Sequence, residues 1–149
     1  MPQLETRQFG VLDYQPETVL EFPAGIPAFE HERRFLPVEQ AATSPFVFLQ
    51  SLATPELMFL TLPALLVEPG YRLDLAQEDL ELLGLSAAPQ RIDQDVHCLA
   101  IVTVQPDGRL TANLLAPVVI NPKTRQAVQA LQPGYSPQHP LPDGEVPCS

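Results

Sequence analysis

Leu99-Ala100-Ile101-Val102-Thr103-Val104-Gln105-Pro106-Asp107-Gly108-Arg109-Leu110-Thr111-Ala112 reads as two strands and the turn between them. Val, Ile and Thr crowd the first half, and β-branched side chains suit a pleated, half-buried surface. Pro106 presets its own φ, Asp107 bonds readily to nearby backbone, and Gly108 admits positive φ. The stretch therefore predicts an antiparallel hairpin that pairs the strand around Ile101 with the strand around Thr111.

The same grammar repeats outward. Thr18 to Phe22 precedes Pro23-Ala24-Gly25, and Phe46 to Gln50 follows Ser44-Pro45. Met58 to Leu62 runs into Pro63, and Val118-Val119-Ile120 ends at Asn121-Pro122. Short apolar runs bounded by Pro and Gly read as strands. Proline supplies 18 of the 149 residues, which leaves little room for long helices. The length suits one domain with a real core, and 45% hydrophobic residues argue against wholesale disorder. The expected fold is all-β: a bent antiparallel sheet forming a partly open barrel, with one or two short helices. No internal repeat or interior linker stands out. Residues 1–142 read as a single domain, and 143–149 as a disordered tail.

One helix is expected, from about Ala76 to Leu83. Asp74 or the residues just after it would cap it, and Gly84 stands where a C-cap belongs. Ala76, Leu80 and Leu83 fall on one face, leaving Glu78, Asp79 and Glu81 to water. The segment from Lys123 to Leu131 suits either a helix or a strand, and its periodicity does not choose.

Eight Lys and Arg against 18 Asp and Glu give a net charge of −10. Phosphate contact needs clustered Lys and Arg, so direct nucleic-acid binding is not expected. Leu57 to Val67 is the longest strongly apolar stretch, too short to cross a membrane as a helix and interrupted by Pro63. The Met1-Pro2-Gln3-Leu4 start lacks a secretory pattern, and two cysteines, Cys98 and Cys148, suit a reducing cytoplasm.

No catalytic, cofactor-binding or metal-binding residue is nominated. His31, His97 and His139 lack ligand spacing. His97 and Cys98 are adjacent, so a strand would point them to opposite faces rather than pair them. There is no nucleophile-elbow or phosphate-loop motif. General acid–base work by Glu78, Asp79, Glu81, Asp93 or Asp95 would need burial, and these residues sit in polar stretches expected to face water. An acidic face for a basic partner is the functional reading that remains, since net charge speeds such an encounter.

Thr111-Ala112-Asn113-Leu114-Leu115-Ala116-Pro117-Val118-Val119-Ile120-Asn121 matches a T-x-N-L-x-A-P-[IV]-[VI]-I-N signature at eight or more of eleven positions. Phe22 to Glu30 matches an F-x-x-G-I-x-G-F-E element, and Pro45 to Ser51 a P-F-x-x-L-Q-S element. Tyr135 and Leu141 fall in a terminal Y-x-x-R-x-x-L pattern. With these elements in the expected order along the chain, over roughly residues 5 to 141, the chain resembles the FliW family of bacterial flagellar assembly factors. Pro27 stands where a glycine is usual, and Gln138 where a basic residue is common. Asn113 and Asn121 suit turns, through left-handed backbone or bonds to their own chain. Gly25 suits positive φ, and Pro117 a strand start or edge.

The resemblance implies a cytoplasmic non-enzyme that binds flagellin and CsrA, a dimeric mRNA-binding repressor. It implies that the free protein weakens RNA binding by CsrA allosterically, and that accumulating flagellin releases CsrA. The rival reading is a small-molecule-binding or hydrolytic β-barrel that shares only the fold. Partner-binding candidates are Gln50 and Ser51, which end a motif strand without an evident core role, the bracketing Asn113 and Asn121, and the acidic Glu78, Asp79 and Glu81.

Overall fold

In the computed structural model, which describes residues 2–87 and 89–141, the hairpin forms as its sequence dictates. β7 (His97–Val104) pairs antiparallel with β8 (Leu110–Ile120), with Thr103 opposite Thr111. Gly108 adopts φ 90°, its N–H donates to Gln105 O at 2.8 Å, and Asp107 Oδ1 accepts the Arg109 N–H.

β8 is one strand of eleven residues, not the two short runs expected. Its register with β7 jumps from Ile101↔Asn113 to Leu99↔Val118, so residues 114–117 stand opposite Ala100 alone. A bulge of this kind bends the strand and sharpens its twist. Asn113 Oδ1 accepts the Ala116 N–H at 2.9 Å across the bulge. Pro117 thus lies inside a strand rather than at its start. It is tolerated because the ladder is already broken there, and its carbonyl accepts the Ala130 N–H.

The sheet runs from β10 (His139–Pro140) through β8, β7, β6 (Met58–Pro63), β5 (Val47–Ser51) and β4 (Arg34–Val38) to β3 (Leu20–Glu21). β9 (Ala127–Gln129) adds to the other reach of β8, at Val118 to Ile120. That settles the segment from Lys123 to Leu131 as a turn and a strand. The sheet curls until β3 meets the start of β9 through a parallel bridge between Glu21 and Gln126. Glu21 N–H donates to Arg125 O at 2.9 Å. Two residues on comes Pro23, which has no N–H to continue a ladder. The result is a barrel nearly closed, with a seam between β3 and β9. β1 (Gln3–Thr6) and β2 (Gly10–Asp13) form a separate hairpin.

Three apolar clusters follow from the alternation of side chains. Leu20, Phe22, Phe35, Leu49, Leu99, Val118 and Ile120 fill the barrel. Val119, Cys98, Ala100 and Leu114 point to the opposite face, under α1 (Ala64–Val67), α2 (Gln77–Leu83) and the C-terminal segment. Val118 and Ile120 therefore face one way and Val119 the other, as read from sequence. The terminal hairpin covers Val19, Leu36 and Val38 with Leu4, Phe9 and Leu12.

α2 ends at Gly84 with φ 69°, and Leu80 and Leu83 are buried as expected. Asp74 does not cap it. The N-cap is Ala76, which is exposed and makes no side-chain cap bond. The expected tail, 143–149 with Cys148, lies outside the described residues.

Candidate partner-binding surface

The acidic helix is held by two buried amides, one at its last turn and one on the segment that leads into it. Asn121 Nδ2 donates to Leu83 O at 2.8 Å, while its Oδ1 accepts the Lys123 N–H. Gln132 Oε1 accepts the Asp74 N–H at 2.7 Å, and its Nε2 donates to Asp74 O at 3.1 Å. Asn121 belongs to the signature stretch, so that motif sets the end of β8 and fixes α2 upon it. Gln132 was not singled out by sequence. A lone Gln beside Pro133 carries no local signal of burial.

Two adjoining cavities of about 190 and 420 Å³ flank α2 and share Asp79 and Gln129. The smaller lies against the seam, between Ala24-Gly25 on one side and Val128 on the other. The charged residues lining the pair are Glu30, Asp74, Glu78 and Asp79, all acidic. Leu82 is 38% exposed and Leu131 64% exposed, each lining one cavity. Burial, and then the charge of Glu78, hold the Asp79 carboxyl above its ordinary range. A cation brought to this groove would favour its ionised form. Glu78 and Asp79 thus share a concave surface, while Glu81 is exposed elsewhere on the same helix.

The other nominated residues do internal work. Gln50 and Ser51 are fully buried, which corrects the expectation that they lack a core role. Gln50 Nε2 faces the carbonyls of Ser51, Thr54, Pro55 and Leu57 at 3.1 to 3.4 Å. Ser51 Oγ donates to Glu32 Oε1 and accepts the N–H groups of Ala53 and Thr54. Thr54 Oγ1 donates to Glu32 Oε2 at 2.7 Å. Glu32 is only 3% exposed, and these hydroxyl donors hold its carboxyl below the ordinary range despite burial. Sequence reading missed it because Glu30-His31-Glu32-Arg33-Arg34 looks like a solvated run. Asn113 is half-buried at the bulge. Neither Asn113 nor Asn121 has positive φ, and both act through bonds to their own chain.

His97 is exposed and Cys98 buried, on opposite faces. Burial pushes the Cys98 thiol up to about 12, which disfavours a thiolate. Tyr135 packs on Tyr71 with ring centroids 4.3 Å apart, and Leu141 enters the core. Among the described residues, no group of three or more His, Cys, Asp or Glu is arranged to hold a metal ion. None of their helices is long and apolar enough to cross a membrane.

The chain folds as a bent, seamed barrel with an acidic helix pinned beside its seam, and its likeness to known proteins gives its class, the flagellar assembly factors. The crystal structure of the flagellar assembly factor FliW superposes with a TM-score of 0.82 at 31% identity, covering 97% of this chain and 100% of that one. The flagellar assembly factor FliW of Moorella thermoacetica is 38% identical over 144 residues, 93% of this chain and 87% of its own. That of Bacillus subtilis is 32% identical over 141 residues, 93% of this chain and 95% of its own. The FliW protein family model matches residues 3–141. The chain belongs to the FliW family, which is a family of assembly factors and not a known enzyme family.

Proposed function

We propose that this chain is a cytoplasmic, non-enzymatic regulator of flagellar assembly that acts by binding two proteins, flagellin and a CsrA-type RNA-binding repressor. Family membership across residues 3–141 carries the reading. In it, residues 1–142 act as one domain. The free protein holds CsrA in a form that binds mRNA poorly, and accumulating flagellin displaces CsrA. Flagellin synthesis is thereby matched to filament growth. An RNA-binding protein presents basic surface, and the groove along α2 offers acids and exposed leucines to meet it. Glu78, Asp79 and Glu81 are the contact candidates. Gln50, Ser51, Asn113 and Asn121 contribute by shaping the loops and the helix that present the surface.

For CsrA release from RNA to be allosteric, the protein must bind the RNA-free form more tightly than the RNA-bound form. Calorimetric titration with the cognate CsrA, repeated after pre-mixing with flagellin, tests the switch. Saturable binding that flagellin abolishes supports it. Binding to flagellin alone reduces the role to an export chaperone, and binding to neither refutes the proposal.

A further inference from the structure

One end of the barrel holds a cavity of about 280 Å³, distinct from the acidic groove. Six neighbouring strands each give it one apolar residue: Leu20 of β3, Pro37 of β4, Val47 of β5, Pro63 of β6, Leu99 of β7 and Ile120 of β8. Arg125, Glu39, Asp93 and His97 supply its charged and imidazole lining, and the buried Cys98 thiol of β7 completes it. Two buried side-chain polar atoms among the described residues lack a hydrogen-bond partner, Gln50 Oε1 and Arg125 Nε. Of the two residues, Arg125 lines this cavity. Its Nη2 donates to Thr18 O at 2.8 Å, and it makes no ion pair among the described residues. A buried guanidinium donor without an acceptor is costly, and an incoming oxygen would relieve it.

The backbone marks the same place. Among the described residues three non-glycines have positive φ, and two of them, Asp93 at 67° and Arg125 at 62°, line this cavity. Such conformations persist where the surroundings over-determine them, and they gather at ligand sites. Arg125 is held on both sides, by its N–H to Asn121 O at 2.8 Å and its carbonyl to Glu21 N–H.

We propose that this end of the barrel binds a small zwitterion with an aliphatic body, of the α-amino acid class. A ligand carboxylate oxygen takes the free Arg125 Nε–H. The ammonium faces Glu39 and Asp93, and the aliphatic chain enters the ring of six apolar residues. A simple carboxylate fits less well, because two rim carboxylates oppose it against one guanidinium. The volume sits at the small end of ligand pockets, which suits a body of a few carbons rather than a nucleotide.

The test uses the full chain with labelled methyl groups, titrated with leucine and with neither protein partner present, so its result is independent of the partner switch. Leucine should shift the methyl resonances of Leu20, Val47, Leu99 and Ile120 saturably. 4-Methylpentanoate, without the ammonium, and 3-methylbutylamine, without the carboxylate, should each bind about tenfold or more weakly, as expected for a lost charge-assisted contact. Arg125→Gln should cost a similar factor. Because Arg125 also holds the seam, Glu39→Gln on the exposed rim is the second variant and should weaken leucine with folding intact. No saturable shift at tens of millimolar leucine, shifts confined to other methyls, equal binding of either analogue, or undiminished binding in both variants would overturn the proposal.

Discussion

Glu32 is a carboxylate that the fold needs charged. Its oxygens accept from Ser51 and Thr54 hydroxyls, and His31 Nε2 lies 3.3 Å away on the exposed side. Because the folded carboxyl titrates below its ordinary range, its contribution to stability is fully present above the unfolded value of about 4.3 and is lost as pH falls through the folded value. Glu32→Gln should lower stability at pH 7 by about 1.5–3 kcal/mol, the range for hydrogen bonds to charged groups. It should also flatten the loss of stability below about pH 4.3. Urea midpoints measured from pH 7 to pH 3 check both, and an unchanged acid limb would remove Glu32 from the account. A second residue-scale outcome concerns the Phe22 to Glu30 element. Pro27 was read as the departure from the usual glycine, but the second glycine of F-x-x-G-I-x-G-F-E falls opposite Ala28. Ala28 has φ 73°, a conformation glycine adopts without strain. Left-handed backbone costs an L-residue about 1–2 kcal/mol, partly offset by the greater chain entropy of glycine. Ala28→Gly should therefore stabilise by about 0.5–1 kcal/mol, read from a shift in urea midpoint with unchanged slope. Gly25, at φ 71°, was legible for the same reason and is also crowded, since an added Cβ would collide with the Glu30 backbone carbonyl.

Elements were legible where local chemistry and tertiary contact agree. The β7–β8 turn needs only Pro106, Asp107 and Gly108, which lie side by side. α2 shows its period in Leu80 and Leu83 and its stop in Gly84. β8 was split because Asn113 and Pro117 read as turn residues, and only the paired strand reveals that both serve one bulge. β4, Arg34-Phe35-Leu36-Pro37-Val38, went unread because Pro37 and the Arg33-Arg34 pair at its start masked a buried run. Among the candidate contacts, the three acids were nominated from charge alone, and the structure puts Glu78 and Asp79, but not Glu81, along the groove. Gln50 and Ser51 were not placed, since burial of an amide depends on carbonyls several residues away. Asn121 tests how elements depend on one another. Its side chain joins the end of β8 to the last turn of α2 through Leu83 O, and it is 4% exposed. Asn121→Ala leaves that carbonyl and the Lys123 N–H without their partner. The expected cost is about 1–3 kcal/mol of global stability, the penalty for a buried polar group left unpaired. Amide exchange across residues 80–84 should rise more than exchange in β6, because the helix loses its anchor while the sheet does not. Uniform acceleration would show that the bond serves the whole barrel instead.

At the scale of the whole molecule the question is whether net charge or its placement recruits a basic partner. A charge of −10 raises encounter rates with any cationic protein, and screening by salt removes that advantage. A groove lined by Glu30, Asp74, Glu78 and Asp79 concentrates the field at one place, beside a seam that sequence could not reveal, since Glu21 and Gln126 meet only once the sheet has curled. Two double variants separate the possibilities. Glu78→Lys with Glu81→Lys reverses charge on α2, and Glu5→Lys with Glu17→Lys reverses it near the N-terminal hairpin. Each substitution changes the charge by two, so both variants move from −10 to −6. All four side chains are exposed, so surface substitutions here should shift stability by about 0.5 kcal/mol or less. If the groove docks CsrA, the α2 variant should slow association about tenfold and flatten its salt dependence, since charges at an interface rim act mainly on the on-rate. The hairpin variant should then slow association far less. Stopped-flow association at several salt concentrations reads the difference. Equal slowing in both would mean that net charge alone steers the encounter, and the contact surface would have to be sought away from α2.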